Sequence, residues 1–163
     1  MKINQRIALG IYIGLSLLFF MYTGLKITAS IDSKKAQNLP VEAQAIISEK
    51  IIYLEVPKTP SEKAKGLMYR KFLHLNTGML FTFNPPQEVK FWMKNCLMHL
   101  DIIFLKNGRV KAIAHNAPPC LAELCVVYSS KNPVTHVIEI RGGRAMELGL
   151  AVGDEIDIII NNE

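Results

Sequence analysis

The sequence predicts an α+β domain, compact, strand-rich and small-barrel-like, with two short helices, behind an N-terminal apolar segment. Three observations predict it. Short apolar runs recur between clusters of Gly, Pro, Asn and Asp, the punctuation of β-structure. Helix end signals mark only two brief stretches. The regular strand–helix alternation of a parallel βαβ sheet is absent. Half of the 163 residues are hydrophobic and a fifth are charged, enough for a core and too apolar for disorder.

Residues Ile7 to Leu25 form a 19-residue run with no charged side chain, about the length that spans a hydrocarbon core. Lys2 and Arg6 precede it. Residues 1–29 therefore read as a transmembrane anchor, or as a signal peptide cut near Thr28-Ala29-Ser30 or Ala36. The run exceeds the usual signal-peptide length, which favours the anchor. Basic residues flank both ends, so the positive-inside rule does not fix orientation. The expected location is at a membrane contacted through residues 7–25, with the domain outside the cytoplasm in a periplasm or lumen, or secreted after cleavage. Gly10 and Gly14 are spaced as a helix-dimer motif, and equally as ordinary glycines of a membrane segment. Residues 30–41 are polar and read as a linker, leaving 42–163 as the domain.

Within that domain, Ala45-Ile46-Ile47 and Ile51 to Val56 read as two strands meeting at Glu49-Lys50. Thr59, Pro60 and Glu62 compose a capping box with proline at the first helical position, and Ala64, Leu67 and Met68 would share the face that packs on a sheet. Met79–Phe83 and Val89–Met93 are short strands separated by Pro85-Pro86. Leu100–Leu105 and Val110–His115 flank Asn107-Gly108, a strong hairpin signal. Residues 116–133 read as one long loop. Val134–Ile140 is a strand, Arg144–Leu148 a short helix closed by Gly149, and Glu155–Ile160 the last strand.

The net charge is +5. Without Lys2, Arg6 and Lys26 the remainder holds 16 basic against 14 acidic residues, and no basic stripe with interleaved aromatics suggests a nucleic-acid partner. Cys120 and Cys125 can pair in an oxidising compartment. His115, Cys120, Cys125 and His136 lack the tight spacing of a zinc site, and no metal or other cofactor is expected. Cys96 reads as a buried thiol, or as a nucleophile with His99 nearby but no orienting third group.

The polar residues that interrupt apolar strands are the candidates for function. Trp92 and Lys94 share one strand face, either at the lip of a pocket or as core and snorkelling neighbour. Asp101 breaks the run Leu100–Leu105 and needs partners, for which Arg70 and Lys94 are available. It would serve as ligand contact, as general base, or as a brace between helix and sheet. Glu139 poses the same question, with Arg141 and Arg144 beside it. Gly142-Gly143 ahead of a short helix offers backbone N–H groups to an anion, but lacks the ending of a phosphate loop.

Six stretches in order, Gly66-Leu67-Met68-Tyr69-Arg70, Gly78-Met79-Leu80-Phe81, Phe91-Trp92-Met93-Lys94-Asn95, Leu100 to Leu105, Pro119-Cys120 and Val137 to Gly143, resemble the domain of unknown function 192 family. These are small prokaryotic proteins often carried behind a signal or anchor. The resemblance spans residues 43–160. It implies a strand-rich α+β domain and carries no reaction, substrate or cofactor. Its polar positions match Arg70, Lys94, Asn95, Asp101 and Glu139. Cys96 stands where the family commonly has threonine, and His99 where it has proline. The cysteine loop resembles that of cyanobacterial members.

Three readings follow. The first is a module binding a small polar ligand or envelope component through Arg70, Trp92, Lys94, Asn95, Asp101 and Glu139, in which Asp101→Asn would abolish binding and spare the fold. The second is a hydrolase or transferase with Asp101 as base and Lys94 stabilising negative charge. The third is a scaffold presenting loop 116–133 to a protein partner through Leu121, Leu124 and Val126 to Tyr128.

Overall fold

Apolar burial on both faces of three adjacent strands decides the architecture. A computed structural model describes residues 34–161. The expected anchor or signal segment lies outside the described residues. Among those described, no helix is long and apolar enough to cross a membrane.

Nine strands and two helices follow in order: β1 (Val41–Ile47), β2 (Lys50–Glu55), α1 (Pro60–Lys65), β3 (Thr77–Gln87), β4 (Lys90–Trp92), β5 (Leu100–Lys106), β6 (Arg109–Ala117), β7 (Val127–Ser129), β8 (Val134–Arg141), α2 (Arg144–Glu147) and β9 (Asp157–Ile160). Seven strands form one sheet in the order β6-β5-β8-β3-β2-β1-β9, and β4 pairs with β7 as a separate ribbon. Among the strands of the described residues, β2 and β3 alone pair in parallel, and α1 lies in the crossover that a parallel pair requires. The sheet curls until its two edges meet. Arg109 bridges Glu155, Val110 N–H donates to the Asp154 carbonyl at 2.9 Å, and Ile156 N–H to that of Gly108 at 2.9 Å.

The pleat sends alternate residues to opposite faces. Inside the curl, Ala45, Ile52, Leu54, Leu80, Ile103, Ile138 and Ile140 form one core. Outside it, Met79, Phe81, Leu100, Ile102, Phe104 and Val137 form a second. The β4–β7 ribbon and the segment after α1 contribute Phe91, Tyr128, Leu67 and Leu73 to that second core. Hence β5 is buried from Leu100 to Leu105 and apolar there except at Asp101, where a half-buried strand would alternate.

The capping box forms as read. Thr59 Oγ1 accepts from Glu62 N–H at 3.2 Å, and Glu62 Oε2 accepts from Thr59 N–H at 2.9 Å. The helix itself is shorter than expected. It stops at Lys65, buries no residue, and is capped by Gly66 at φ +47°. Leu67 reaches the core from beyond the helix, not from a helical face. The β1–β2 hairpin turns through Ser48 and Glu49, both at positive φ, the backbone a two-residue hairpin needs to match strand twist. Residues 36–40 carry no regular structure and are fastened to the domain: Gln37 Nε2 donates to the Glu62 and Gly66 carbonyls, each at 2.9 Å.

Two strand readings change. β3 continues past Pro85-Pro86 to Gln87, with an irregular register between Thr82 and Gln87, because proline is tolerated where a ladder is interrupted. The segment 116–133 is not one loop; it contains β7, which pairs with β4. The Cys120–Cys125 disulfide closes the turn before β7.

Gly78 is where β2, β3 and β8 crowd most tightly. A Cβ there would meet the Glu139 carbonyl oxygen at 2.5 Å and Ile140 Cγ2 at 2.9 Å. Gly78→Ala should therefore destabilise the domain by about 1–3 kcal/mol through overpacking. A denaturant midpoint equal to wild type would show that the strands separate without cost.

Candidate functional site

Glu139 lies near the middle of β8, opposite Met79 of β3 and Ile102 of β5. That register points its side chain into the outer core, among apolar neighbours. The residue is 5% exposed, and no protein group hydrogen-bonds its carboxyl among the described residues. It lines a cavity of about 340 Å³. Phe81, Phe83, Phe91, Trp92 and Cys96 share the wall, with the part-exposed Lys63 and Lys65 and the exposed Gln87 and Lys90 at its solvent side. The rings are themselves packed: Phe91 stands edge-on to Phe81 at 5.0 Å and to Phe104 at 6.1 Å, a favoured aromatic geometry.

Gly66 lies beside the carboxylate. Its missing side chain leaves a position 3.8 Å from Glu139 Oε2 and 3.5 Å from the Phe81 ring. Any larger residue at this cap would meet both groups and would strain a positive φ.

Burial pushes the Glu139 carboxyl above the usual carboxylate range, to about 8, because the charged form loses hydration that nothing replaces. Around pH 7 the group holds its proton and can donate a hydrogen bond. Cys96 is pushed up to about 12, first by burial and then by Glu139. A thiol so held is a poor nucleophile, which removes the chemistry that Cys96 and His99 suggest in the sequence.

Asp101 is elsewhere. It pairs with Ile140, and its neighbour Ile102 pairs with Glu139, so the pleat turns the two acids to opposite faces. Asp101 is fully buried. Its Oδ1 accepts from the N–H groups of Asn116 at 2.6 Å and Gly143 at 3.0 Å, and Oδ2 from Ala145 N–H at 2.7 Å. The expected partners Arg70 and Lys94 are thus replaced by backbone. The anion that Gly142-Gly143 and α2 receive is this carboxylate. With no solvent access and both oxygens engaged, Asp101 is not placed to take a proton from a ligand.

Arg70 instead grips Glu55 with two bonds, Nη1–Oε1 at 2.7 Å and Nη2–Oε2 at 2.5 Å, and donates to the Gln37 carbonyl from Nε and Nη2. This bidentate pair fastens the segment after α1 to β2. Asn95 adopts φ +58°, a region asparagine tolerates. Its backbone ties Cys120 and Tyr69 together at 2.8 Å each. Lys94 Nζ lies 5.5 Å from the centre of the Trp92 ring, a cation–π contact; Trp92 lines the cavity and Lys94 is not among its wall residues. Arg141 and Arg144, expected beside Glu139, both pair with Glu147. Of the six candidates, only Trp92 and Glu139 meet at the cavity. The loop side chains Leu121 and Leu124 are exposed, the latter at 91%.

This arrangement belongs to a recognisable lineage. The sequence profile of domain of unknown function 192, described as an uncharacterized ACR, matches residues 43–158. The chain belongs to this family. Two solved structures share the domain 192 fold with a TM-score of 0.64 each. One is a protein of Sinorhizobium meliloti 1021 described as a proposed transcription regulator, 32% identical over 71% of this chain and 91% of that one. The other is a protein of unknown function from Novosphingobium aromaticivorans DSM 12444, 35% identical over 76% of this chain and 92% of that one. No curated protein matches. The wall residues Gly66, Phe81 and Phe91 fall inside family stretches of this domain 192 sequence. They were legible there as motif positions, without a sign that they face one cavity.

Two outcomes follow from the two acids. Asp101→Ala strips three backbone donors of a charged acceptor and should cost about 3 kcal/mol or more; Asp101→Asn, whose amide turns an NH₂ toward one of those donors, should also destabilise. Wild-type melting of both variants would contradict the bracing role. Glu139 has a folded-state pKa raised above its unfolded value, so the folded state holds the extra proton. Stability should fall as pH climbs from about 4.5 to about 8 and then level. Glu139→Gln should flatten that slope, as measured by denaturant unfolding across pH.

Proposed function

We propose that the domain is a small-molecule binding module whose site is the Glu139 cavity. One observation carries the reading: the carboxyl of a residue that is 95% buried, with no hydrogen bond from the described protein groups, on the wall of an aromatic-lined cavity. Buried polar groups are ordinarily paired, and one left open needs a reason. A ligand that completes its hydrogen bonding supplies it. Apolar walls with one placed polar group are the ordinary make-up of a ligand pocket. A strongly shifted acid in a cleft points to function over bracing.

A catalytic reading has less support. Glu139 could move a proton, but the neighbouring thiol is held neutral, and no second activated group shares the wall. The scaffold reading draws on the exposed Leu121, Leu124, Val126 and Val127. That surface belongs to the disulfide loop, and none of the four lines the cavity.

Phenol is a suitable neutral probe, since its ring fits the aromatic walls and its hydroxyl can both donate to and accept from a carboxyl. Amide shifts on titration should gather at Gly66, Phe91, Cys96 and Glu139. Glu139→Leu should abolish them, and Leu124→Asp should leave them intact. Shifts confined to residues 121–127, or lost in Leu124→Asp alone, would move the working surface to the loop. No saturable shift anywhere would sink the cavity reading.

A further inference from the structure

The cavity combines two electrostatic features that no single-charge ligand satisfies. At its wall is one carboxyl without a donor; at its border are three lysines. A ligand bearing only an anion would meet the lysines but leave Glu139 unpaired. One bearing only a cation would pair with Glu139 but pass the lysines on entry. We propose that the Glu139 cavity takes a zwitterionic small molecule, its ammonium on Glu139 and its anionic group among Lys63, Lys65 and Lys90. This rests on the reading of the cavity as a binding site and names its ligand class.

The wall supports the ammonium end. Aromatic faces attract cations through their quadrupoles; two of the wall rings already carry the protein's own ammonium groups, which leaves Phe81 and Phe91 for that of a ligand. Lys63 Nζ is 5.6 Å from the Phe83 ring centre and Lys94 Nζ 5.5 Å from that of Trp92. Lys63 Nζ is in addition committed to the Thr82 carbonyl at 3.0 Å, so it is not the missing partner of Glu139. Gly66, which also lines the cavity, places no side chain beside the carboxylate.

Range decides between attraction and repulsion. The lysines lie at the solvent border, where their fields fade over a Debye length of about 8 Å at physiological salt. Contact with Glu139 occurs in the interior, where screening is weak. An ammonium is therefore held at the carboxyl, and the anionic group turns the lysines from obstacle to partner.

Binding must move a proton. Around pH 7 about nine in ten Glu139 carboxyls are protonated. An incoming ammonium takes the ionised form, so the carboxyl O–H bond breaks and the proton goes to buffer, nearly one per ligand. The groups facing Glu139 do not confuse this signal. Cys96 stays a neutral thiol, and the strand neighbours Met79 and Ile102 are apolar.

The test is calorimetry on the full-length chain with 6-aminohexanoate, hexylamine and hexanoate, whose flexible methylene chain lets the two charges find their spacing. The zwitterion should bind at least about tenfold tighter than either single-charge probe. Runs in buffers of different ionisation enthalpy should show release of nearly one proton at pH 7. Affinity should rise about tenfold between pH 6 and pH 7 and level above about pH 8. Glu139→Gln should abolish the proton release and weaken binding at least about tenfold. The Lys63→Gln, Lys65→Gln, Lys90→Gln triple variant should reduce 6-aminohexanoate to the affinity of hexylamine. Hexanoate binding as well as the zwitterion, or zwitterion binding without proton release, overturns the ligand class. Failure of 6-aminohexanoate where phenol still shifts Glu139 overturns the class and leaves the cavity reading standing; failure of every probe overturns both.

Discussion

Burial on both faces of β3, β8 and β5 is the constraint on which the rest depends. Over Gly78–Phe81, Val137–Ile140 and Leu100–Leu105 these strands cannot simply alternate apolar and polar residues, because both faces are buried there. Each polar side chain placed on them must be satisfied locally or left as an exception. Asp101 and Glu139 are the two acids at such positions, and the register that pairs Ile102 with Glu139 sends them to opposite sides. From that single pairing follow the brace inside the curl and the open carboxyl outside it.

The two acids are a natural comparison, because burial is nearly the same and the partners are not. Asp101 draws three backbone N–H groups, from the end of β6 and from the start of α2. It thereby replaces the hydration it loses, and it fixes where β8 ends and how α2 leaves it. Gly142 belongs to the same arrangement: a Cβ there would lie 2.6 Å from both Asn116 Oδ1 and His99 Cβ, so the chain turns only without a side chain. Glu139 receives nothing comparable. Its hydration is lost without replacement, and the carboxyl takes a proton.

Much of the fold was legible in the sequence, and the site was legible only in part, for one physical reason. Turn and cap signals are local. The Thr59–Glu62 capping box, the Asn107-Gly108 hairpin and the short helix after Gly143 each depend on residues within a few positions, and each stands where its residues place it. Sites depend on which strands lie side by side. Asp101 and Glu139 read as polar interruptions of apolar strands, with Arg70 and Lys94 as candidate partners, and both acids do lie within buried strands. Nothing local says that Arg70 faces Glu55, fifteen residues away, or that β8 inserts between β5 and β3. Without that order, four polar residues look like one cluster. The aromatic walls stayed hidden for the same reason, since Phe81 and Phe91 meet only because the β4–β7 ribbon folds over β3.

An unpartnered carboxyl in a core is a cost that a purely structural domain would remove. Glutamine could hydrogen-bond in the same space without titrating, and leucine would fill it without any polar group; replacing buried charge by apolar volume is often neutral or stabilising. The chain instead surrounds Glu139 with features that preserve access to it. Gly66 withholds a side chain at a strained φ. The Phe81–Phe91–Phe104 stack holds the walls apart by edge-on contacts. The Arg70–Glu55 grip anchors the segment that carries Gly66 against β2. On the proposed binding reading, rigid walls around a group kept out of its preferred state give up stability for a site shaped before its ligand arrives. The same reasoning separates Glu139 from Asp101: one acid is spent on holding the fold, and the other is kept in reserve by it.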